Sequence, residues 1–228
     1  MTTEQFFEQL DTRIAKYDLL CHPFYKAWSA GTLTREDLRE YALDYYHHVE
    51  AFPGYLAALA IRLDESELRR AVLANMADEL GEESTAHSEM WLDFAEGMGA
   101  GRDMRGHRPA PEITELTAFF HRVASEGTPE EALAAFYSYE SQVPRVAKEK
   151  ARGLQETYGV DQRATSYFTL HATADVFHSQ VWRQQLGKRL EANPQMAEQA
   201  LVAGENAAKA LWHALDGIEA RRMEKVAA

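Results

Sequence analysis

The chain has 228 residues, 46% of them hydrophobic and 26% charged, a composition typical of a globular protein with a substantial core. Its formal net charge of −12 would repel a phosphate backbone, which argues against nucleic-acid binding. A single cysteine, Cys21, excludes an internal disulfide and a cysteine-based metal site. We see neither a basic, apolar leader nor an apolar run of the ~18 residues that a membrane span needs, so we expect a cytoplasmic protein without a membrane partner.

The first half of the chain is predicted to be helical, because strong helix formers dominate and alternating β-branched runs are absent. A first helix over residues 3–20 ends before Pro23. Thr34, followed by Asp37, is predicted to cap a long helix that reaches about residue 63 and is bent or broken at Pro53. Further helices are predicted over 65–80 and 85–97, with Gly81 interrupting the chain between them.

The second half continues the pattern after the longest predicted loop, residues 97–111. A helix over 111–125 is followed by one that Thr128 caps, that Pro144 kinks and that ends near residue 159. Asp161 is predicted to cap a helix to about residue 191, and Pro194 to open the last one. The sequence thus predicts an all-α fold, a bundle of seven or eight helices that forms one domain over residues 1–228.

His171, Asp175 and His178 stand at positions i, i+4 and i+7 of a predicted helix, so their side chains share one face. Apolar residues flank this face, which indicates a mostly buried helix. Two imidazoles and a carboxylate suit divalent iron or manganese, and a bound metal would offset the cost of burying them. From spacing alone, the placement of these three residues on one face is explained equally well by metal binding and by hydrogen bonds within the core.

A two-metal bundle needs further carboxylates from other helices. Glu140 stands among aromatic and apolar residues, which predicts that it is either paired or a metal ligand. His87 is followed by large apolar residues at helical spacing, so we expect it to face the core. Its partner is Glu83, at i−4 on a straight helix, or Glu79, at i−8, if Gly81 breaks the helix.

Several motifs stand between residue 20 and about residue 190: His22-Pro-Phe-Tyr25-Lys-Ala-Trp28, Leu33-Thr-Arg-Glu-Asp-Leu-Arg-Glu-Tyr41-Ala42, Tyr45-Tyr46-His47, Phe52-Pro-Gly-Tyr55, Tyr139-Glu140-Ser-Gln-Val-Pro144 and His171-x3-Asp175-x2-His178. Together they resemble the CADD-like family of haem-oxygenase-like dimetal oxidases. The thiaminase-like TenA proteins and pyrroloquinoline-quinone synthase C share the fold of that family. The resemblance implies a seven-helix bundle that holds two metal ions, either two irons or iron with manganese.

The resemblance also implies which residues bind the metals. The family pattern is a Glu, a His, a Glu and then His-x3-Asp-x2-His, which matches Glu79, His87, Glu140, His171, Asp175 and His178. The family usually places six residues between its first Glu and His, whereas seven stand between Glu79 and His87 here. An inserted residue near Gly81 would reconcile the two, and Glu83 stays open as the alternative first ligand.

The activity that the resemblance implies is a self-sacrificing synthesis of p-aminobenzoate, a folate precursor. A tyrosine of the protein supplies the ring and a lysine supplies the amine. The matching tyrosine is Tyr25 and the matching lysine is Lys150, with Lys148 as a rival, while Tyr41 and Tyr139 are expected to relay a radical. Dioxygen and an external reductant would be co-substrates, and a homodimer is a family expectation.

Two other functions stay open at this stage. An oxidase of the same fold could act on a diffusible small molecule, in which case Tyr25 belongs to the scaffold and the protein loses no mass during turnover. A protein-interaction module that uses the bundle surface would have no catalytic need for His171.

Overall fold

The computed structural model describes residues 1–227 apart from 65, 83 and 105, and only the backbone of 226 and 227. The described residues form ten α-helices, two 3-10 turns and no strand, which confirms the predicted all-α class. The helices are α1 (Thr3–Ala15), α2 (Pro23–Ser29), α3 (Arg35–Ala60), α4 (Glu67–Leu80), α5 (His87–Gly97), α6 (Pro111–Ser125), α7 (Pro129–Glu140), α8 (Val143–Glu156), α9 (Gln162–Ala192) and α10 (Ala197–Ala227). The 3-10 turns cover Leu19–Cys21 and Pro194–Met196.

Helix starts follow the predicted capping residues closely. Thr34 and Asp37 form a reciprocal capping box at the start of α3, and the side chain of Thr128 caps α7. The Asp161 carboxylate accepts a hydrogen bond from the Ala164 N–H at the start of α9. Each of these side chains satisfies a backbone donor that the first helical turn leaves unpaired.

The structure corrects the prediction for the first helix. That helix ends at Ala15 rather than at residue 20, and a 3-10 turn follows it. The unpredicted α2 begins directly afterwards, because Pro23 occupies its first turn and the His22 ring accepts a hydrogen bond from the Phe24 N–H. At seven residues, α2 is too short to show a clear periodicity of its own.

The two internal prolines act differently from one another. Pro144 was expected to kink one continuous helix, but the chain instead ends α7 at Glu140 and begins α8 at Val143, with Pro144 in the first turn of α8. A proline fits the first turn because that turn needs no backbone donor there. Helix α3 runs unbroken through Pro53. The extra helix and this division explain why ten helices exceed the expected seven or eight.

Helix α7 lies at the centre of the bundle, between α9 and α10, and its residues from 132 to 140 are all buried. Helix α8 packs along α9, while α3 contacts α4, α5 and α6. This arrangement directs side chains of α4, α5, α7 and α9 towards one interior region. Among the described helices, none combines the length and the apolarity that crossing a membrane requires.

Candidate metal centre and tyrosine–lysine cluster

The turn at Gly81 brings two predicted ligands together across a break in the helix. Gly81 ends α4 in the left-handed conformation, with φ of 72°, and a Cβ atom there would lie 2.3 Å from the backbone nitrogen of Ala86. Only glycine fits such a turn without strain. As a result, Oε2 of Glu79 lies 2.7 Å from Nδ1 of His87, although the residues would diverge on a straight helix. Glu83, the alternative first ligand, lies outside the described residues.

Helix α9 carries the three predicted ligands that share one helical face, His171, Asp175 and His178. His171 and Asp175 are buried, and the side chain of His178 is 13% exposed. Nδ1 of His171 donates to the backbone carbonyl of Tyr167 at 2.7 Å, which leaves Nε2 as the lone-pair nitrogen because a carbonyl only accepts. Nε2 of His178 lies 2.9 Å from Oδ2 of Asp78, on α4.

Glu140, the last residue of α7, is 1% exposed. The indole N–H of Trp182 donates to its Oε2. Its other oxygen, Oε1, is buried and has no hydrogen-bond partner among the residues that the structure describes. A buried carboxylate oxygen without a donor is costly, and a metal ion is one way to satisfy it.

Two groups of candidate ligands meet in this interior and share one carboxylate. Glu79, His87 and His171 form the first group, and Glu79, Glu140 and His178 form the second. Within each group the ligand atoms lie within 4.8 Å of one another. Imidazole nitrogens and carboxylate oxygens suit iron and manganese, so the chemistry of the donor set fits such an ion in either group.

Asp175, the sixth predicted ligand, belongs to neither group but borders the same space. With Glu79, Glu140 and His171 it lines a cavity of about 10 Å³. Its Oδ1 lies 3.4 Å from Nδ1 of His178, a buried nitrogen with no hydrogen-bond partner among the described residues. The structure therefore places all six residues around one interior point.

Charges in this region are coupled. Burial alone would raise the pKa of Glu79, but the hydrogen bond and charge of His87 hold it below the ordinary value. Burial would lower the pKa of His87, yet Glu79 raises it above the ordinary value. At Glu140, burial raises the pKa well above the usual range, and the charge of His178 only partly opposes this. A cluster of buried carboxylates of this kind is stabilised by a bound cation.

A second cluster contains the predicted tyrosine and lysine. The side-chain nitrogen of Lys150, Nζ, lies 2.7 Å from the phenol oxygen of Tyr25 and 2.5 Å from that of Tyr41, and the two phenol oxygens are 3.0 Å apart. Nζ also lies over both rings, 4.3 Å and 4.7 Å from their centroids. The rival Lys148 is exposed.

Lys150 is 6% exposed, and burial lowers its pKa well below the ordinary value. Among the described residues no carboxylate is paired with it, and its hydrogen-bond partners are neutral phenols. An uncompensated buried ammonium is unstable, so burial favours the neutral amine. A neutral amine has the free electron pair that nucleophilic chemistry needs.

Tyr139 and Tyr167 form the boundary between the two clusters. Both line the 10 Å³ cavity at the candidate ligands, and both line a neighbouring cavity of about 20 Å³ that Tyr25, Tyr45 and Lys150 also border. The phenol of Tyr139 is near enough to those of Tyr45 and Tyr167 to lower the pKa of each, against the larger rise that burial causes. Phenol side chains thus lie all along the interior between the candidate ligands and Tyr25.

The profile of a protein family described as iron-containing redox enzymes, with the short name Haem_oxygenas_2, matches residues 39–213. The chain belongs to this family. It is therefore an enzyme of the redox class with a haem-oxygenase-like helical fold, which confirms the resemblance that the motifs predicted.

Curated relatives of this redox enzyme cover most of its length. It is 37% identical over 213 residues to the 4-aminobenzoate synthase of Chlamydia trachomatis, covering 92% of this chain and 90% of that protein. It is 37% identical over 230 residues to the 4-aminobenzoate synthase of Nitrosomonas europaea, covering 96% and 92%. A TenA homologue from Pseudomonas syringae superposes with a TM-score of 0.79 at 17% identity, covering 94% of this chain and 91% of that one, which supports the fold alone.

Several residues of this iron-containing redox enzyme were not singled out from the sequence. Asp78 bonds His178 from another helix, a contact that no local pattern reveals. Trp182 stands four residues after His178, so the sequence already places it on the same helical face as the predicted ligands. Burial of Lys150 was also readable, because the buried positions of α8 recur at helical spacing and include it: Val143, Val146, Ala147, Lys150, Gly153 and Leu154.

Proposed function

We propose that this enzyme is a dimetal, oxygen-activating oxidase that makes p-aminobenzoate for folate synthesis, using the ring of its own Tyr25 and the amine of Lys150. The observation that carries the proposal is the buried contact of the Lys150 amine with the Tyr25 phenol at 2.7 Å, in a cavity that adjoins the candidate metal ligands. The names of the curated relatives, 4-aminobenzoate synthases, support the same reaction.

The candidate ligands would hold two ions, either two irons or iron with manganese. Glu79, His87 and His171 would hold one, and Glu79, Glu140 and His178 the other, with Asp175 beside the second. When bound, the metal pair supplies the activation of dioxygen, with electrons from an external reductant, that makes oxidation of a nearby phenol feasible. The surrounding protein keeps water away from the oxidised side chain.

Comparison of the tyrosine side chain with p-aminobenzoate defines what must change. The aromatic ring is retained, the Tyr25 Cβ becomes the carboxyl carbon, and the bond between Cα and Cβ breaks. The ring carbon that carries the phenol oxygen must lose that oxygen, as water, and bond to nitrogen instead, with dioxygen as the oxidant for the overall change. Lys150 is near enough to supply the nitrogen, since its Nζ lies 2.7 Å from this oxygen and burial favours the neutral amine. The bond between Nζ and Cε of Lys150 must then break to release p-aminobenzoate.

Tyr139 and Tyr167 are the residues that we assign to transfer of oxidation from the metal region. Both side chains are buried, and burial raises the pKa of each phenol well above the ordinary value, so they stay protonated until they are oxidised. Tyr45, which lines the 20 Å³ cavity together with Tyr139, and Tyr41, hydrogen-bonded to Tyr25, continue the path. A neutral phenol that gives up an electron must also give up its proton, and each of these neighbours offers an acceptor oxygen.

Cavity sizes argue against a diffusible organic substrate in the space between the buried candidate ligands and Lys150; the larger cavity between α4 and α9 is lined by His178 alone of the six candidate ligands. The spaces beside the candidate ligands and beside Lys150 measure about 10 Å³ and 20 Å³, enough for about one water molecule each. Ligand pockets for small organic molecules usually measure about 300–1,000 Å³. A substrate that is already part of the protein, such as Tyr25, needs no such pocket.

Isotope labelling tests this proposal directly. Protein made with ring-¹³C-tyrosine would be freed of metal, loaded with iron and manganese, and supplied with oxygen, reductant and unlabelled free tyrosine. We expect ¹³C-labelled p-aminobenzoate, at most one per chain, together with a mass loss in the peptide that contains Tyr25. Tyr17→Phe, at a partly buried tyrosine outside both clusters, is the matched control and should leave the yield unchanged. Unlabelled product, or no product with Tyr25 intact, would refute the proposal.

A further inference from the structure

The candidate metal ligands adjoin a third, larger cavity that the proposed chemistry does not use. This cavity measures about 480 Å³ and lies between α4 and α9. Three alanines of α4 form an apolar part of its wall, and the polar side chains that line it are Asn75, Asp78, Glu82 and His178. Asp78 and Glu82 are exposed, so the cavity is open to water.

His178 connects this cavity with the metal region. Its Nε2 lies 2.9 Å from Asp78, which lines the cavity, while its Nδ1 lies 3.4 Å from Asp175, which lines the space among the candidate ligands. At 13%, its side chain has the largest exposed fraction of the six candidate ligands. Water therefore comes closest to the cluster at this ring.

Asn75 supplies an independent sign that the cavity receives a polar ligand. The residue is only 6% exposed and lines the cavity, yet neither its amide oxygen nor its amide nitrogen has a hydrogen-bond partner among the described residues. A buried amide without partners is costly unless a ligand or water satisfies it. Its oxygen, with the carboxylates of Asp78 and Glu82, forms a set of oxygen donors beside one imidazole.

We propose that this cavity is the uptake route for the metal ions, and that Asp78 and Glu82 capture the hydrated divalent cation before it reaches the buried ligands through His178. This inference rests on the dimetal site of the proposed function. Two carboxylates at the opening of a partly enclosed cavity attract a cation and repel an anion, and such focusing raises association rates. The Asn75 oxygen replaces part of the hydration shell that the ion loses on the way in.

Stopped-flow uptake of Co²⁺ by the metal-free protein tests the proposal, because Co²⁺ binds the same ligand types and gives visible absorption bands. The test variant is Asp78→Asn with Glu82→Gln, in which the asparagine oxygen can still accept the hydrogen bond from His178. The matched control is Glu4→Gln with Glu8→Gln, two exposed residues of α1, which contributes no residue to the cavity. Both double variants change the net charge equally.

We expect each protein to bind two Co²⁺ ions at equilibrium, but uptake by the Asp78/Glu82 variant to be roughly tenfold slower at low ionic strength. The difference should shrink as salt is added, because exposed charges are screened. The α1 control should match the unchanged protein. Ala74→Phe, which fills the cavity from an exposed position of α4, should also slow uptake without lowering the final occupancy.

Equal uptake rates in the Asp78/Glu82 variant and the unchanged protein, with two ions bound to both, would overturn the uptake route alone. A lower final occupancy in that variant would also overturn it, because Asp78 would then act by positioning His178. Failure of the unchanged protein to bind two ions would instead remove the dimetal site of the proposed function, and the uptake route with it.

Discussion

Lys150 and Tyr25 are 125 positions apart in the chain, yet the amine nitrogen of one lies 2.7 Å from the phenol oxygen of the other in a buried part of the core. Helix α8 brings the lysine and the short helix α2 brings the tyrosine. A core lysine that faces phenols rather than carboxylates does not form a salt bridge, so its position is explained better by reactivity than by stability.

Replacing that lysine separates the two candidates for the amine donor. Lys150→Met should abolish p-aminobenzoate formation, because the amine is lost while the length and apolar stem of the side chain are kept. The thermal midpoint should not fall, since the change removes a buried polar group without leaving a carboxylate unpaired. Lys148→Met, at the exposed neighbour, should form product normally when the product is measured by mass spectrometry. Normal product from Lys150→Met would exclude this lysine as donor.

Gly81 is the position where a single methyl group should disturb the proposed metal centre. Gly81→Ala should cost about 1–2 kcal/mol for the left-handed backbone alone. The added Cβ would also approach the Ala86 nitrogen to 2.3 Å and push Glu79 and His87 apart. We expect reduced metal occupancy by elemental analysis as well as lower stability in urea. Gly54→Ala, in the interior of α3 with open space around it, is the control and should be neutral or stabilising by roughly 0.5–1 kcal/mol.

Trp182 should influence metal binding through its hydrogen bond to Glu140. Trp182→Phe removes the indole donor and leaves Oε2 of Glu140 unpaired, so we expect affinity for one of the two ions to fall about 10–100-fold. Competition with a chelator measures this separately for each ion. Trp212→Phe, at a half-buried tryptophan packed on Tyr17 and His22, should leave both affinities unchanged. Equal loss of both ions in the two variants would indicate general loosening of the core instead.

His48 should make the protein less stable in acid. It is fully buried without a hydrogen-bond partner among the described residues, and burial lowers its pKa to about 3. Between the unfolded value near 6.5 and pH 3, the unfolded chain binds a proton that the folded protein does not. Stability is therefore lost as pH falls through this range, by about 2 kcal/mol at pH 5 relative to pH 7.

Urea unfolding of His48→Phe at pH 5 and pH 7 checks that sign and size. The variant should lose about 2 kcal/mol less than the unchanged protein between the two pH values. At pH 7 it should be neutral or more stable, because an unpaired buried imidazole is replaced by an apolar ring of similar size. His121→Gln, at an exposed histidine, should keep the full pH dependence. If His48→Phe lost as much stability between pH 7 and pH 5 as the unchanged protein, the acid sensitivity could not be assigned to His48.

The sequence predicts the helices of this protein better than it predicts the contacts of the candidate site. Caps such as Thr34 and Asp161 act within one turn, so they could be recognised from neighbouring residues alone. The proximity of Glu79 to His87 depends on the backbone conformation of Gly81, which the sequence suggests but does not determine. The contact of Asp78 with His178 joins two helices a hundred residues apart, and only the packing of α4 near α9 reveals it.

The same difference applies to the tyrosines that we assign to the proposed reaction. Tyr25, Tyr41 and Tyr139 could be proposed from family motifs, whereas the position of Tyr167 between the two cavities follows from its contacts in the folded chain. Many aromatic residues fill the core of this bundle, so composition alone does not separate a relay from a packing residue. The two shared cavities are the reason that we assign Tyr139 and Tyr167 to the proposed relay.

Anomalous scattering from crystals of the iron- and manganese-loaded protein tests the central claim, a pair of metals that share Glu79, most directly. We expect two peaks per chain, one in contact with Glu79, His87 and His171 and the other with Glu79, Glu140 and His178. A single peak, or a second peak that does not contact Glu79, would contradict it.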